Sequence, residues 1–204
     1  MKPDLTDTEI HTIREGIRRK FTQVATQADA GGSFQYPTGR EGMRQLGYPM
    51  EQVQDFPEAI LQTFCGVGNP FSLGPIQPGE TVLDIGCGAG VDTLVAARLA
   101  GPTGRVAGID ATFEMIARAR ANLALVGLTN VSFEVAAAEA LPFPDRKFDV
   151  VISNGVINLT IDKEQALREA HRVLKRGGRL MVADMVLVAE LPGDQAGKVE
   201  NWFQ

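Results

Sequence analysis

The sequence predicts an α/β fold in which a parallel sheet is flanked by helices. Three observations carry that expectation. Residues 81–90 (TVLDIGCGAG) run from a β-prone apolar stretch ending in an acid into three alternating glycines. Val91 to Ala100 then places apolar residues at helical spacing, completing a strand, glycine loop and helix of the kind that lays backbone against a nucleotide or nucleoside. Downstream, strand-like and helix-like stretches alternate, which implies parallel strands joined by crossover helices.

Taken in order, the chain opens with a helix. Thr6 can cap it, Asp7 and Glu9 suit its first turn, and Ile10, Ile13, Ile17, Phe21 and Val24 share one face. Arg18, Arg19 and Lys20 are expected near its end, complementing the helix dipole. Such an amphipathic helix needs a partner surface, and the glycine-loop face is the expected one. From Asp29 to Tyr48 glycines and Pro37 break the period, so a loop is expected, with a short helix from Arg40 to Leu46. Its aromatics Phe34, Tyr36 and Tyr48 read either as anchors or as a substrate lid. Pro57 to Phe64 reads as a short helix with Pro57 at its first position. Pro75, Pro78 and Gly79 mark a boundary, giving an N-terminal helical extension (1–74) and a core (75–204).

Within the core, strands are expected at Thr81–Ile85, Arg105–Ile109, Val131–Ala136, Phe148–Ser153 and Arg179–Val186. Helices are expected at Val91–Ala100, Phe113–Val126 and Lys163–Leu174. The stretch from Glu139 to Lys147 is too short and proline-rich for much helix. After the fifth strand only Ala189 to Gln204 remain, and the Trp202-Phe203 ending reads as a cut through a helix.

Composition narrows the function classes. The 204 residues carry a net charge of -5, which argues against nucleic acid as the main partner. No apolar run reaches the roughly 20 residues of a membrane helix, and the polar, acidic N-terminus is no secretory signal. Cys65 and Cys87 are the two cysteines, too few for a disulfide framework or metal cluster, so no metal is expected and a cytoplasmic protein is the simplest reading.

The chemistry-bearing positions sit at strand ends. Asp84 closes the first strand, Gly86 and Gly88 let backbone approach a ligand, and Gly90 opens the helix. Asp110 ends the second strand, where a carboxylate can accept from both hydroxyls of a ribose. Asn154 and Asn158 follow the fourth strand and are the candidate active-site residues, with loop hydrogen bonding as the other reading. His171 is expected to serve structure and His11 to be solvated.

These motifs resemble class I S-adenosylmethionine-dependent methyltransferases. The resemblance runs through VLDIGCGAG, GRVAGID, AEALPFPD (138–145), FDVVISN and LKRGGRLMVAD (174–184). It implies a Rossmann-like class I methyltransferase sheet whose C-terminal edge binds S-adenosylmethionine. Gly86, Cys87, Gly88 and Gly90 would line the methionine and sugar side, with the Cys87 thiol packed away from it. Asp84 would hold the loop or the amino group, and Asp110 the ribose. Ala111, Thr112 and Met115 would lie beside the adenine. The acid that often contacts the adenine amine is replaced by Ala137, leaving backbone of Ala137 and Ala138 for that task; Glu139 is the nearby acid, and Asn154 completes the cofactor site. The implied chemistry is in-line displacement at the sulfonium methyl by a small-molecule acceptor, leaving S-adenosylhomocysteine.

A narrower resemblance, to arsenite methyltransferases, runs through Gly68-Asn69-Pro70 and Ser153 to Leu159. Those enzymes hold trivalent arsenic with cysteine thiolates. Here Gly155 and Val67 stand where two of these cysteines are expected, so arsenite is an unexpected substrate. The resemblance also implies further C-terminal strands that the chain lacks. A sheet edge left bare would favour homo-oligomer formation or a partner subunit. An inactive S-adenosylmethionine-binding protein, or a partner-dependent interaction protein, is therefore the alternative to an enzyme.

Overall fold

The structure, a computed structural model, describes residues 5–26 and 37–186. Three helices precede the sheet: α1 (Asp7–Thr26), α2 (Gly39–Gln45) and α3 (Glu58–Leu61). The sheet comprises β1 (Thr81–Ile85), β2 (Arg105–Asp110), β3 (Val131–Val135), β4 (Phe148–Asn154) and β5 (Leu174–Ala183). Helices α4 (Val91–Ala100), α5 (Phe113–Val126) and α6 (Lys163–Val173) connect them, and no helix joins β3 to β4. The strands lie in the order β3-β2-β1-β4-β5, all parallel. β1 is therefore central, and the order reverses on either side of it, which opens a crevice beyond the strand ends.

Alternation along the strands divides the core into two layers. Val82, Val106, Val150 and Ile152 face Ala96, Ala97 and Ala100 of α4. Leu83, Ile85, Ile109 and Val151 face the other way, onto Ala166, Ala170 and Val173 of α6. Because both faces are covered, β1 is buried along nearly its whole length, as a parallel sheet requires. Residues 43–64 are joined to this core rather than held apart from it. Met43, Tyr48, Phe56, Ile60, Leu61 and Phe64 share an apolar cluster with Val91, Leu94 and Val95. Arg98 of α4 fastens the contact, stacking 4.2 Å above Phe56, donating to the Gln52 carbonyl at 2.8 Å and pairing with Asp55.

Several elements differ from the sequence reading. α1 runs on to Thr26, so Arg18, Arg19 and Lys20 lie in its body and its last turn carries no basic residue. Its start is as expected: Thr6 Oγ1 accepts from Glu9 N, and the Glu9 carboxylate accepts from Thr6 N at 2.8 Å, a capping box. Pro57 is the N-cap of α3, not its first residue, because its ψ of 138° is extended. β5 begins at Leu174 rather than Arg179. The turn-like Lys175 to Gly178 stretch is a bulge, opposing Phe148 and Val150 with Leu174 and Arg179, and Gly177 at φ 77° absorbs the kink. The expectations at Phe34, Tyr36, Trp202 and Phe203 lie outside the described residues. Among the described residues no helix is long and apolar enough to cross a membrane.

Candidate functional site

A cavity of about 380 Å³ lies at the C-terminal ends of β1, β2 and β4. The glycine loop forms its floor. Gly86 N and Cys87 N both donate to the Ile109 carbonyl at 2.8 Å, tying the loop to β2. Gly86 (φ 74°) packs so closely that an added Cβ would lie 2.2 Å from a Val156 methyl, whereas one on Gly88 (φ 51°) would meet nothing within 4 Å. Gly90, at φ 88°, is the N-cap of α4. Cys87 is buried with Ile116, Ala119 and Phe133, and burial pushes its thiol up.

Three carboxylates surround this floor. Asp84 is buried and accepts from Thr93 Oγ1 at 2.6 Å, so it ties the loop to α4. Asp110 accepts from Gly88 N at 3.0 Å and Thr112 N at 2.8 Å, one on each oxygen. Each oxygen keeps a lone pair for a further donor. Asp92, in the first turn of α4, accepts on one oxygen from Tyr48 Oη at 3.1 Å and Asn154 Nδ2 at 3.0 Å. Burial raises all three above the ordinary carboxylate range, Asp92 to about 6. For Asp84 the charge of Asp92 adds to that rise.

The remaining expected residues also line the cavity. Ala111, Thr112 and Met115 lie on its β2 side, with Ala137, Ala138 and Glu139 from the loop after β3. The Glu139 carboxylate accepts from Ile161 N at 3.2 Å, bracing the approach to α6. Asn154 is engaged at both ends of its amide: Oδ1 accepts from Val67 N and Gly68 N, while Nδ2, with two hydrogens, lies within 3.0 Å of three acceptors, Tyr48 Oη, the Gly68 carbonyl and Asp92. Asn158 donates its backbone N–H to Asp184, and its side-chain Oδ1 is buried without a partner. His11 and His171 are exposed and lie away from the cavity.

Above the floor, α1 forms a wall with Arg14, Ile17, Phe21 and Val24, as its amphipathic face requires. Thr22 donates to Glu114 at 3.1 Å, seating α1 on α5. The opposite end, beside Asn154, is lined by Phe64, Cys65, Val67, Gly155 and Leu159. Sequence reasoning missed Asp92 and the role of Tyr48. An acid two residues after the last loop glycine, at a helix N-terminus, was the available signal for Asp92. Among the described residues no group of three or more histidine, cysteine or acidic side chains is placed to hold a metal ion.

A family model described as a methyltransferase domain matches residues 76–204. The arsenite methyltransferase of Halobacterium salinarum is 36% identical over 200 residues, covering 92% of this chain and 51% of that protein. The ubiquinone/menaquinone biosynthesis C-methyltransferase UbiE of an Enterobacter species is 47% identical over 111 residues, covering 53% of this chain and 44% of the relative. Among solved structures, CrArsM, an arsenic(III) S-adenosylmethionine methyltransferase from Chlamydomonas reinhardtii, superposes with a TM-score of 0.66. It is 36% identical, with 71% of this chain and 51% of that one covered. An S-adenosylmethionine-dependent methyltransferase from Aquifex aeolicus superposes with a TM-score of 0.54 over 76% of this chain and 78% of its own; at 24% identity it speaks for the fold alone. The chain spans about half the length of the curated relatives it matches.

The residues present fit the cofactor of that family. The Gly88 cradle leaves room for a ligand, Asp110 offers paired acceptors for a ribose, and the carboxylates suit a cationic ligand. By the match across residues 76–204, on a five-stranded parallel sheet of the right order, this chain belongs to the methyltransferase domain family, with S-adenosylmethionine as its cofactor.

Proposed function

We propose that this chain catalyses methyl transfer from S-adenosylmethionine to a small-molecule acceptor other than arsenite. The observation that carries the proposal is one cavity with two unlike ends. At one end Asp110, already oriented by two backbone N–H groups, is set to receive a ribose, and the Ala137–Ala138 backbone lies where an adenine would rest. At the other, beside Asn154, Phe64, Cys65, Val67, Gly155 and Leu159 give a largely apolar wall.

Bound S-adenosylmethionine supplies an electrophilic methyl carbon on a sulfonium. The chain's own residues orient and desolvate. α1 covers the cavity, Gly86 and Gly88 set the floor, and Asn154 fixes residues 67–68 against β4. Proximity and exclusion of water are the means of rate enhancement such a site provides. Asn154, with its amide saturated, acts as a positioning residue; Asn158 lines the same end of the cavity, where the acceptor would enter.

Residue identity supports the exclusion of arsenite. A Cβ on Gly155 would lie 3.2 Å from a Val67 methyl, so the two positions that carry cysteine in the resembling enzymes face each other here without sulfur. We further propose that copies of the chain associate through β5, which among the described residues is the outer strand on its side of the sheet, with Leu180 exposed.

Calorimetric titration with S-adenosylmethionine and S-adenosylhomocysteine tests the donor site. Micromolar binding, weakened at least about tenfold by Asp110→Ala, is expected. Turnover against a panel of small acceptors then tests the enzyme reading, with arsenite as the expected negative. A folded protein that binds neither nucleoside overturns the proposal.

A further inference from the structure

The polar groups around the acceptor end of the cavity are engaged in building its wall. Asp184, just after β5, accepts from Ile157 N at 2.7 Å and Asn158 N at 3.2 Å on one oxygen, and from Met185 N at 2.7 Å on the other. Thr160 Oγ1 donates to the Ile157 carbonyl and Lys163 Nζ to the Thr160 carbonyl, while the Glu139 carboxylate accepts from Ile161 N. Asp92 is buried and bonded to Tyr48 and Asn154. Asn158 is an amide, able to donate or accept a hydrogen bond but not to serve as a base. Neither histidine lines the cavity. Among the described residues, then, this end offers an acceptor a largely apolar surface and no group set to remove its proton. An acceptor hydroxyl buried there unpaired would lose about 1–3 kcal/mol and would still have to ionise.

Charge is sorted across the cavity. Asp84, Asp92 and Asp110 surround its floor, whereas α1, above the floor, brings Arg14, Arg18 and Lys20 against one carboxylate, Glu15, which pairs with Arg18. Carboxylates below suit a sulfonium, and cations above draw an anion.

A thiol meets both conditions. With an ordinary pKa of about 8.5 it is a few per cent thiolate at pH 7 with no help from a base. A phenolic hydroxyl near 10 is far less ionised, and an alkylamine near 10.4 is a cation with no lone pair to give. Sulfur is also polarisable and at ease among apolar side chains. We propose that the acceptor is a small apolar thiol, taken up as its thiolate into the end of the cavity beside Asn154. The thiol proton goes to water before entry. The thiolate sulfur then bonds to the methyl carbon as the methyl–sulfonium bond breaks, and the electron pair of that bond stays on the donor sulfur. An anion and a cation become two neutral thioethers, a step that a wall solvating charge poorly favours. The inference names the acceptor of the methyl transfer proposed above and rests on that reading.

The test has a binding arm and a turnover arm. In the first, thiophenol and phenol are titrated by calorimetry into the chain saturated with S-adenosylhomocysteine. Thiophenol is expected to bind the more tightly, and the double variant Arg14→Glu, Arg18→Glu to weaken it about tenfold. In the second, the chain and S-adenosylmethionine are offered thiophenol, phenol and aniline, which share one ring, and 1-butanethiol beside 1-butanol and butylamine. Methylated products are measured by mass spectrometry and corrected for the reaction without protein. Each thiol is expected to lead its series by at least about 30-fold, the ratio of ionised fractions for pKa values of about 8.5 and 10. An alcohol, phenol or amine that matches its thiol overturns the assignment. So does a donor-binding chain that methylates neither thiol, and so does a thiophenol affinity left unchanged by the double variant. A chain that binds neither S-adenosylmethionine nor S-adenosylhomocysteine overturns the donor reading itself, and this assignment with it.

Discussion

At the scale of single residues, the loop glycines separate folding from binding. Gly86 is pressed against Val156 and Gly88 faces open space, though both have positive φ. Gly86→Ala is expected to cost about 3 kcal/mol or more, read as a lower melting temperature, because strain and a clash combine. Gly88→Ala is expected to cost only about 1 kcal/mol of backbone strain, yet to weaken S-adenosylhomocysteine binding in calorimetry by filling the cradle. Asp92 carries a pH prediction. Burial raises its folded pKa to about 6, so the folded chain holds that proton more tightly than the unfolded one. The carboxylate therefore costs stability as pH rises from the unfolded value near 4 through about 6, and the cost is complete above that. Asp92→Asn removes it. The variant is expected to melt about 5 °C above wild type at pH 8, with the gap closing toward pH 4. Asp84, Gly86, Gly88 and Asp110 were legible in the sequence because strand ends and glycines are local signals. The Tyr48–Asp92 contact was not, since its partners stand 44 positions apart and nothing local marks either as a member of a pair.

At the scale of elements, α1 is the part most able to move without disturbing the rest. It touches the core chiefly through α5 and one buried side chain, Ile13, whereas residues 43–64 share a core with α4 and are pinned by Arg98. Elements with few buried contacts open first. Arg14, Arg18, Arg19 and Lys20 all lie on α1, so trypsin is expected to cut there first, and S-adenosylhomocysteine to slow that cut several-fold if it seats α1. Ile13→Asp is expected to lower ligand affinity about tenfold while the far-ultraviolet dichroism of the sheet persists. The amphipathic stripe from Ile10 to Val24 made this helix legible. Its end was misjudged because the basic triplet suggests a C-terminus by its charge, while the backbone continues with no breaker until Thr26. β5 failed in the reverse sense: Lys175-Arg176-Gly177-Gly178 has turn chemistry, yet it lies inside the strand as a bulge between the Leu174 and Arg179 pairings with β4.

Across the whole molecule, the sheet was readable because β1, β2 and β4 carry short apolar runs flanked by turn residues, and alternation with helices permits few topologies. The edges are where interaction is expected. β5 pairs with β4 on one side, and if copies associate there, sedimentation should show mass rising with concentration in wild type and falling back in Leu180→Lys, which places a charge at the seam. The carboxylates also set an acid limit. Glu80 is held low by Arg179 and Glu169 by Arg172, so their stabilisation, present above about pH 4.5, is lost as pH falls through their lowered values and opposes the gain from Asp92. The bond from Asn154 to the backbone of Val67 and Gly68 closes a loop of more than eighty residues. Contacts of such separation form late, after local pairings have reduced the search. The sheet can thus be assembled while the cavity is still open, and in refolding experiments a nucleoside should leave the early rate unchanged and act only on the final phase, where it reports when the two ends of the molecule have met.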